Sequence, residues 1–188
     1  MVALTHQLMA HSIQTLHCLD KAGFKLNVGI NFEPITLADE KAVEDLRLQI
    51  ETSDLEPHRI ILELLEHADT LSIVGAQQGL RDLKVSGVRV ALDDVGSAYS
   101  SLLRVKELPV DVIKLDRSFM IGLERHPNQL RFMMNLVYLV QGLGLDLVAE
   151  GVECHPTGDA LAALGVRLAQ GYEIARPMGM EDLLKWLK

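Results

Sequence analysis

Apolar residues near the start of the chain fall at three- and four-residue steps, as Leu8, Met9, Ile13, Leu16 and Leu19, and Gly23 follows them. That spacing predicts an amphipathic helix over Leu4–Leu19. The period then changes: Lys25–Asn31 (KLNVGIN) alternates like a strand, and Thr36–Ile50, with Pro34 just ahead of it, returns to a helical pattern. The unit repeats. Arg59–Glu63 (RIILE) reads as strand, Asp69–Leu83 as helix and Val88–Asp94 (VRVALDD) as strand. Val110–Asp116 (VDVIKLD) is strand, Leu130–Leu143 helix, Leu145–Glu150 (LDLVAE) strand and Thr157–Leu164 a short helix. Val166–Gln170 (VRLAQ) is the last strand and Met180–Leu187 the closing helix.

Six short apolar strands alternating with helices imply parallel pairing through right-handed crossovers, hence an α/β sheet covered on both faces. Pattern alone leaves an open sheet and a closed barrel both standing. No low-complexity stretch or linker interrupts the series, so residues 1–188 are expected to form a single domain.

Composition narrows the function classes. With 48% hydrophobic and 23% charged residues the chain is a folding, globular sequence. A formal charge of −8 argues against non-specific DNA binding and means that a phosphate ligand needs local help, such as a metal ion. Cys18 and Cys154 lie far apart with no metal-ligand spacing, so reduced thiols are expected. His6, His11, His17 and Asp20 break any signal-peptide core, and no run of eighteen apolar residues occurs. A cytoplasmic location without direct membrane insertion is expected, alone or as the cytoplasmic part of a larger membrane-associated protein.

Aligning the six strands by their C-terminal residues gives Asn31, Glu63, Asp93 with Asp94, Lys114, Glu150 and Gln170. In parallel α/β architectures this edge is where side chains converge on a ligand. Asn31, Glu63, Asp93, Asp94 and Glu150 offer oxygen only, which suits Mg²⁺ or Mn²⁺ better than zinc or copper. Four carboxylates in one pocket repel each other unless cations are bound, so a metal, and a pair of metals at that, is the economical explanation. Two ions sharing Asp93 can activate a water and clamp both oxygens of a phosphate ester. Lys114 is the one cation of the set, suited to a phosphate oxygen or the attacking water; a salt bridge to Asp116 or Glu150 is its plain structural alternative. Any single polar strand end is as well explained by capping or solvation; six together point to a site. The small-residue loop after the double aspartate, Asp93–Leu102 (DDVGSAYSSL), adds little by itself.

These residues resemble a known family, the EAL domain phosphodiesterases of bacterial second-messenger signalling. The resemblance is carried by VGINF (Val28–Phe32), ILELLE (Ile61–Glu66), ALDDVGSAYSSL (Ala91–Leu102), VIKLDRSFM (Val112–Met120), LVAEGVE (Leu147–Glu153) and AQGYEIARPM (Ala169–Met178). It implies a TIM-like (β/α) barrel and hydrolysis of cyclic di-GMP to linear pGpG with two Mg²⁺ or Mn²⁺ ions. By motif, Asn31, Glu63, Asp93 and Glu150 would be metal ligands and Asp94 would serve the second metal. Lys114 and Gln170 would hold the water and its network, and Glu66 would anchor the loop after Asp94. A homodimer is implied too, as is an upstream sensory or GGDEF-type domain in a longer parent protein.

The sequence departs from the family at several points. Glu-Ala-Leu, the motif that names the family and supplies a metal ligand, does not occur in the chain. In the family it lies on a strand ahead of the first helix seen here. The resemblance therefore implies about six of eight barrel strands, an N-terminally truncated domain and a fragment of a longer signalling protein. Val95, Ser97 and Ala98 stand where Phe, Thr and Gly are common, and Glu33 where Ser is usual. Two functions follow: a phosphodiesterase impaired by the absent glutamate, or an inactive cyclic di-GMP receptor or protein-interaction module.

Overall fold

A computed structural model of the chain describes residues 2–65, 74–96, 105 and 108–188. Two compact units divide it, one formed by Met1–Val90 with Met178–Lys188 and the other by Ala91–Pro177.

In the first unit α1 (Val2–Lys21) runs to Gly23, whose φ of 89° ends it. Strands β1 (Val28–Asn31) and β2 (Ile60–Leu65) pair in parallel, Asn31 opposite Glu63. The helix expected over Thr36–Ile50 is two helices, α2 (Pro34–Leu37) and α3 (Glu40–Glu51). Asp39 makes the break: its backbone is extended, and its side chain accepts from the N–H of Ala42 at 3.0 Å, capping a new helix start. Of the helix expected over Asp69–Leu83, α4 (Ala76–Val85) is seen, and residues 69–73 lie outside the described part. Met9 and Leu16 of α1, Leu46 and Ile50 of α3, Leu80 and Leu83 of α4 and Ile60, Leu62 and Leu64 of β2 are all fully buried. The two-residue period of β2 puts that apolar set on one face and Ile61 and Glu63 on the other, half-buried one. The last helix, α7 (Met180–Trp186), has no fully buried side chain.

Arg59 pins this unit together beneath β2. Its side chain is 3% exposed, donates to the carbonyl of Leu26 at 2.8 Å and pairs with Asp20 at the end of α1, also at 2.8 Å. Holding Leu26 in this way leaves residues 25–27 outside β1, so the strand is shorter than its alternating pattern predicts. Arg59 holds the Asp20 carboxyl below its ordinary value, against the opposing effect of desolvation.

The second unit contains β3 from Ala91 onward (β3 spans Arg89–Val95), β4 (Val112–Leu115), β5 (Asp146–Glu150) and β6 (Leu168–Gln170), neighbours in chain order and all parallel. Between them lie α5 (Pro127–Gly142) and α6 (His155–Ala163), each opening with proline in its first turn. Met133, Val137 and Val140, one face of α5, are buried along with Ile113, Leu115 and Ala149 of the sheet. Both cysteines, Cys18 and Cys154, are exposed and free. Among the described residues no helix is long and apolar enough to cross a membrane.

Two stability outcomes follow. A Cβ on Gly79 of α4 would run into the carbonyl of Leu37, so Gly79→Ala loses about 1–3 kcal/mol in denaturant unfolding, through overpacking, although helix propensity alone favours Ala by about 1 kcal/mol. The lowered pKa of Asp20 means its pair with Arg59 stabilises the fold above the ordinary carboxylate range and loses that effect as pH falls through the lowered value. Asp20→Asn therefore lowers the melting temperature at pH 7, and the gap from the parent chain narrows toward acid pH.

Candidate active site

Asp93 and Asp94 are consecutive, and in a regular strand consecutive side chains point to opposite faces. The pairing of β3 with β4 shows how the chain avoids this. Leu92 lies opposite Ile113 and Val95 opposite Leu115, so two residues of β3 stand against the single Lys114 of β4. This is a β-bulge, and Asp94 takes its left-handed position with φ 56°, a conformation open to Asp at modest cost. The bulge brings both carboxylates to one side: ligand oxygens of Asp93, Asp94 and Glu150 all lie within 4.8 Å of one another.

Lys114 sits among them. Its ammonium is 2.9 Å from Asp93 Oδ1 and 2.8 Å from Glu150 Oε1, with its side chain 8% exposed. In register it faces Val148, two residues short of Glu150, so the lysine stem reaches along β5 to the carboxylate at the strand end. The backbone N–H of Asp94 donates to Asp93 Oδ1 at 3.1 Å, giving that oxygen two donors. Among the described residues, three carboxylates share this cluster with the Lys114 ammonium. Burial raises the pKa of Glu150, Lys114 lowers it, and Asp93 and Asp94 push it up again, a net rise. A cluster of convergent carboxylates whose donors are all oxygen fits a hard divalent cation.

Gln170 is opposite Glu150 on β6, and the Val152 N–H donates to the Gln170 carbonyl at 3.0 Å, carrying the pairing past the strand end. Glycines that the motif reading left without a role keep this edge close. A Cβ on Gly171 would meet the backbone of Val152, and one on Gly151, with φ 69°, would meet the side chain of Arg117. Asp94, Glu150 and Gln170 share an open cleft of about 530 Å³ with Arg117 and Tyr172. Asp116 lines it too, and accepts from the N–H of Ser118 at 3.0 Å.

In the first unit Asn31 ends β1 and lies opposite Glu63, which is not the last residue of β2 as the pattern predicts, since the strand runs on to Leu65; the Phe32 N–H donates to the Glu63 carbonyl at 2.8 Å. A Cβ on Gly29 would overlap the Glu63 carboxylate, so the missing side chain at Gly29 is the room into which Glu63 folds. Glycine at this place in VGINF carries that signal in the sequence. The structure thus joins Asp93, Asp94, Lys114, Glu150 and Gln170 in one cluster and pairs Asn31 with Glu63 in the other unit. Glu66, and the loop positions Ser97 and Ala98, lie outside the described residues.

Comparison with known proteins agrees with this arrangement. The profile of the EAL domain matches residues 1–177. The chain is 32% identical over 180 residues to the cyclic di-GMP phosphodiesterase RocR of Pseudomonas aeruginosa, covering 96% of this chain and 46% of that protein. It thus spans less than half the length of that relative. The EAL domain of Mycobacterium smegmatis DcpA superposes with a TM-score of 0.87 at 29% identity, covering 99% of this chain and 84% of that one. The PaMucR phosphodiesterase in its c-di-GMP complex superposes with a TM-score of 0.79 at 32% identity, covering 94% and 71%. The fold is accordingly the α/β barrel type of these structures, represented by six parallel strands among the described residues. The chain belongs to the EAL domain family.

Proposed function

We propose that this chain is a cyclic di-GMP phosphodiesterase domain that opens one phosphodiester to give linear pGpG, with two Mg²⁺ or Mn²⁺ ions. The observation that carries the reading is the cluster of Asp93, Asp94 and Glu150 around Lys114, made of oxygen donors on one side of a bulged strand. Asp93, Asp94 and Glu150 hold metal there, and Asn31 and Glu63 are ligands from their own unit. Bound ions would neutralise the phosphate oxygens and make water acidic enough to attack at neutral pH. Lys114 holds the attacking water or a phosphate oxygen through its ammonium, positioned by Asp93 and Glu150. Gln170 supports the network from the flank of Glu150, and Glu66 anchors the loop after Asp94.

The domain is a single EAL unit that works in the cytoplasm beside a sensory or GGDEF-type domain. Because Glu-Ala-Leu occurs nowhere in the 188 residues, its rate is impaired. That same absence supports the second reading, a receptor that binds cyclic di-GMP without cleaving it. A homodimer is part of the proposal. Phe132, Leu139 and Leu143 are 57%, 43% and 52% exposed along α5 and just beyond it, and with Leu136 they repeat at four-, three- and four-residue steps. This is the seam spacing through which two copies of one helix interdigitate.

Incubation with cyclic di-GMP and Mn²⁺, followed by chromatography for pGpG, is the direct test. Asp93→Ala lowers turnover by about a hundredfold or more, as expected for loss of a ligand to catalytic metal. Tight binding in Ca²⁺ without turnover in Mn²⁺ selects the receptor instead. Saturating Mn²⁺ raises the melting temperature by roughly 5–10 °C at a hundred times its Kd, and Glu150→Gln removes most of that rise while leaving the metal-free protein folded. In sedimentation, Leu139→Glu shifts the chain from dimer to monomer; an unchanged dimer removes α5 as the seam.

A further inference from the structure

We propose that Phe119 is a positioning residue for the metal cluster, its ring wedged against Gly96 so that the bulge carrying Asp93 and Asp94 keeps the gap to Glu150 that a small divalent cation needs; this rests on the metal-dependent phosphodiesterase reading of the same cluster. Phe119 ends the short 3₁₀ turn Arg117–Phe119, which follows β4 after Asp116. A Cβ on Gly96 would overlap the edge of the Phe119 ring. The face of that ring stacks on Phe132 of α5, with centroids 6.0 Å apart and planes 5° from parallel. The ring is thus backed by a helix and presses on the residue two positions past Asp94.

The bulge needs such support. Asp94 and Gly96 have φ of 56° and 99°, so two of three consecutive residues lie in the left-handed region, the first of them without a glycine's freedom. Backbone of this kind persists where its surroundings over-determine it. The turn supplies a second restraint through its backbone: the Asp116 N–H donates to the Val95 carbonyl at 3.2 Å and the Phe119 N–H to the Asp116 carbonyl at 3.1 Å, while the Asp116 carboxylate accepts from the Ser118 N–H at 3.0 Å. Its other end meets β5. A Cβ on Gly151, the residue after Glu150, would run into the Arg117 side chain. Arg117–Phe119 therefore touches both glycines that follow the acids, Gly96 past Asp94 and Gly151 past Glu150, and acts as a spacer for the two strand ends.

The ion reads that spacing. Ligand oxygens of Asp93, Asp94 and Glu150 lie within 4.8 Å of one another. Two oxygens bound at right angles are about 3.0 Å apart on Mg²⁺ and about 3.4 Å apart on Ca²⁺, from bond lengths of about 2.1 and 2.4 Å. A slack of about 0.4 Å between Asp94 and Glu150 thus covers the whole difference between the two ions. Mg²⁺ demands near-ideal octahedral geometry and Ca²⁺ accepts irregular geometry, so slack costs the smaller ion more. A flat, rigid ring suits the task of holding the gap. A smaller or flexible apolar side chain at position 119 loosens the contact at Gly96, and with it the bulge, without touching any metal ligand.

The test uses the whole chain without substrate, and follows the binding of Mg²⁺ and of Ca²⁺ by calorimetry. Phe119→Leu lowers Mg²⁺ affinity by about tenfold, within the range for lost support of a metal ligand, and Ca²⁺ affinity by no more than about threefold, because that ion tolerates irregular geometry. Phe119→Met, which fills the space with a flexible chain, gives the same loss of selectivity. Hydrogen exchange at the Asp94 and Asp116 amides speeds up in both variants and locates the slack at the bulge. Val137→Ala opens a cavity in the core of the same unit, lowers the melting temperature and leaves the ratio of Mg²⁺ to Ca²⁺ affinity unchanged. An unchanged ratio in the Phe119 variants, or an equal shift in Val137→Ala, overturns the positioning role and leaves the phosphodiesterase reading intact. A ratio that shifts as expected, where the parent chain forms no pGpG from cyclic di-GMP in Mn²⁺, keeps the role and overturns that reading. A parent chain that binds neither ion overturns both.

Discussion

Lys114 has one ammonium for two carboxylates, the buried Asp93 and the partly buried Glu150, with a third, Asp94, within reach of both. Much in the second unit follows from that imbalance. Taking charges out of water is costly unless each finds a partner, and Lys114 partners two acids at 2.9 and 2.8 Å, while burial, with Asp93 and Asp94 adding to it, still leaves the Glu150 pKa raised. A protein selected for stability alone would do better with apolar residues here. Concentrating acids beyond what the lysine neutralises has a physical reason if the missing charge arrives with a ligand, and a divalent cation is the simplest such charge.

The backbone around the cluster is shaped to the same end. The bulge at Asp93–Asp94 turns an alternating strand into one that sends two acids the same way, at the cost of a left-handed aspartate. Gly96, two residues past Asp94 and with φ 99°, is another such place: a Cβ there would overlap the ring of Phe119. Gly151 and Gly171 let Arg117 and Val152 approach the cleft edge. In the first unit Gly29 gives the same kind of room to Glu63. Each glycine removes a side chain where a functional group or its supporting backbone must pass, so the small residues of the motifs are explained by the large polar ones beside them.

The element series was largely legible in the sequence because its periods are set by burial. The face Ile60, Leu62 and Leu64 alternates with Ile61 and Glu63, and Met133, Val137 and Val140 recur on one side of α5. Where the reading missed, a local polar interaction had overruled the hydrophobic pattern. Asp39 capped a fresh helix in the middle of a continuous apolar period, and Arg59 drew the Leu26 carbonyl away from the strand that alternation predicts. Neither bond has a signature in the spacing of apolar residues.

By itself the sequence determined the parallel α/β class, polar residues at or within two positions of the strand ends, and membership of the EAL family through six ordered motifs. Those properties are properties of order along the chain. Tertiary structure decided that Asp93 and Asp94 act on one side, that Lys114 reaches past Val148 to Glu150, and that the Phe119 ring meets Gly96. Such facts depend on strand register, on a bulge of a single residue and on the close approach of glycines. A shift of one residue in pairing would reverse every side chain of a strand while leaving the sequence pattern unchanged.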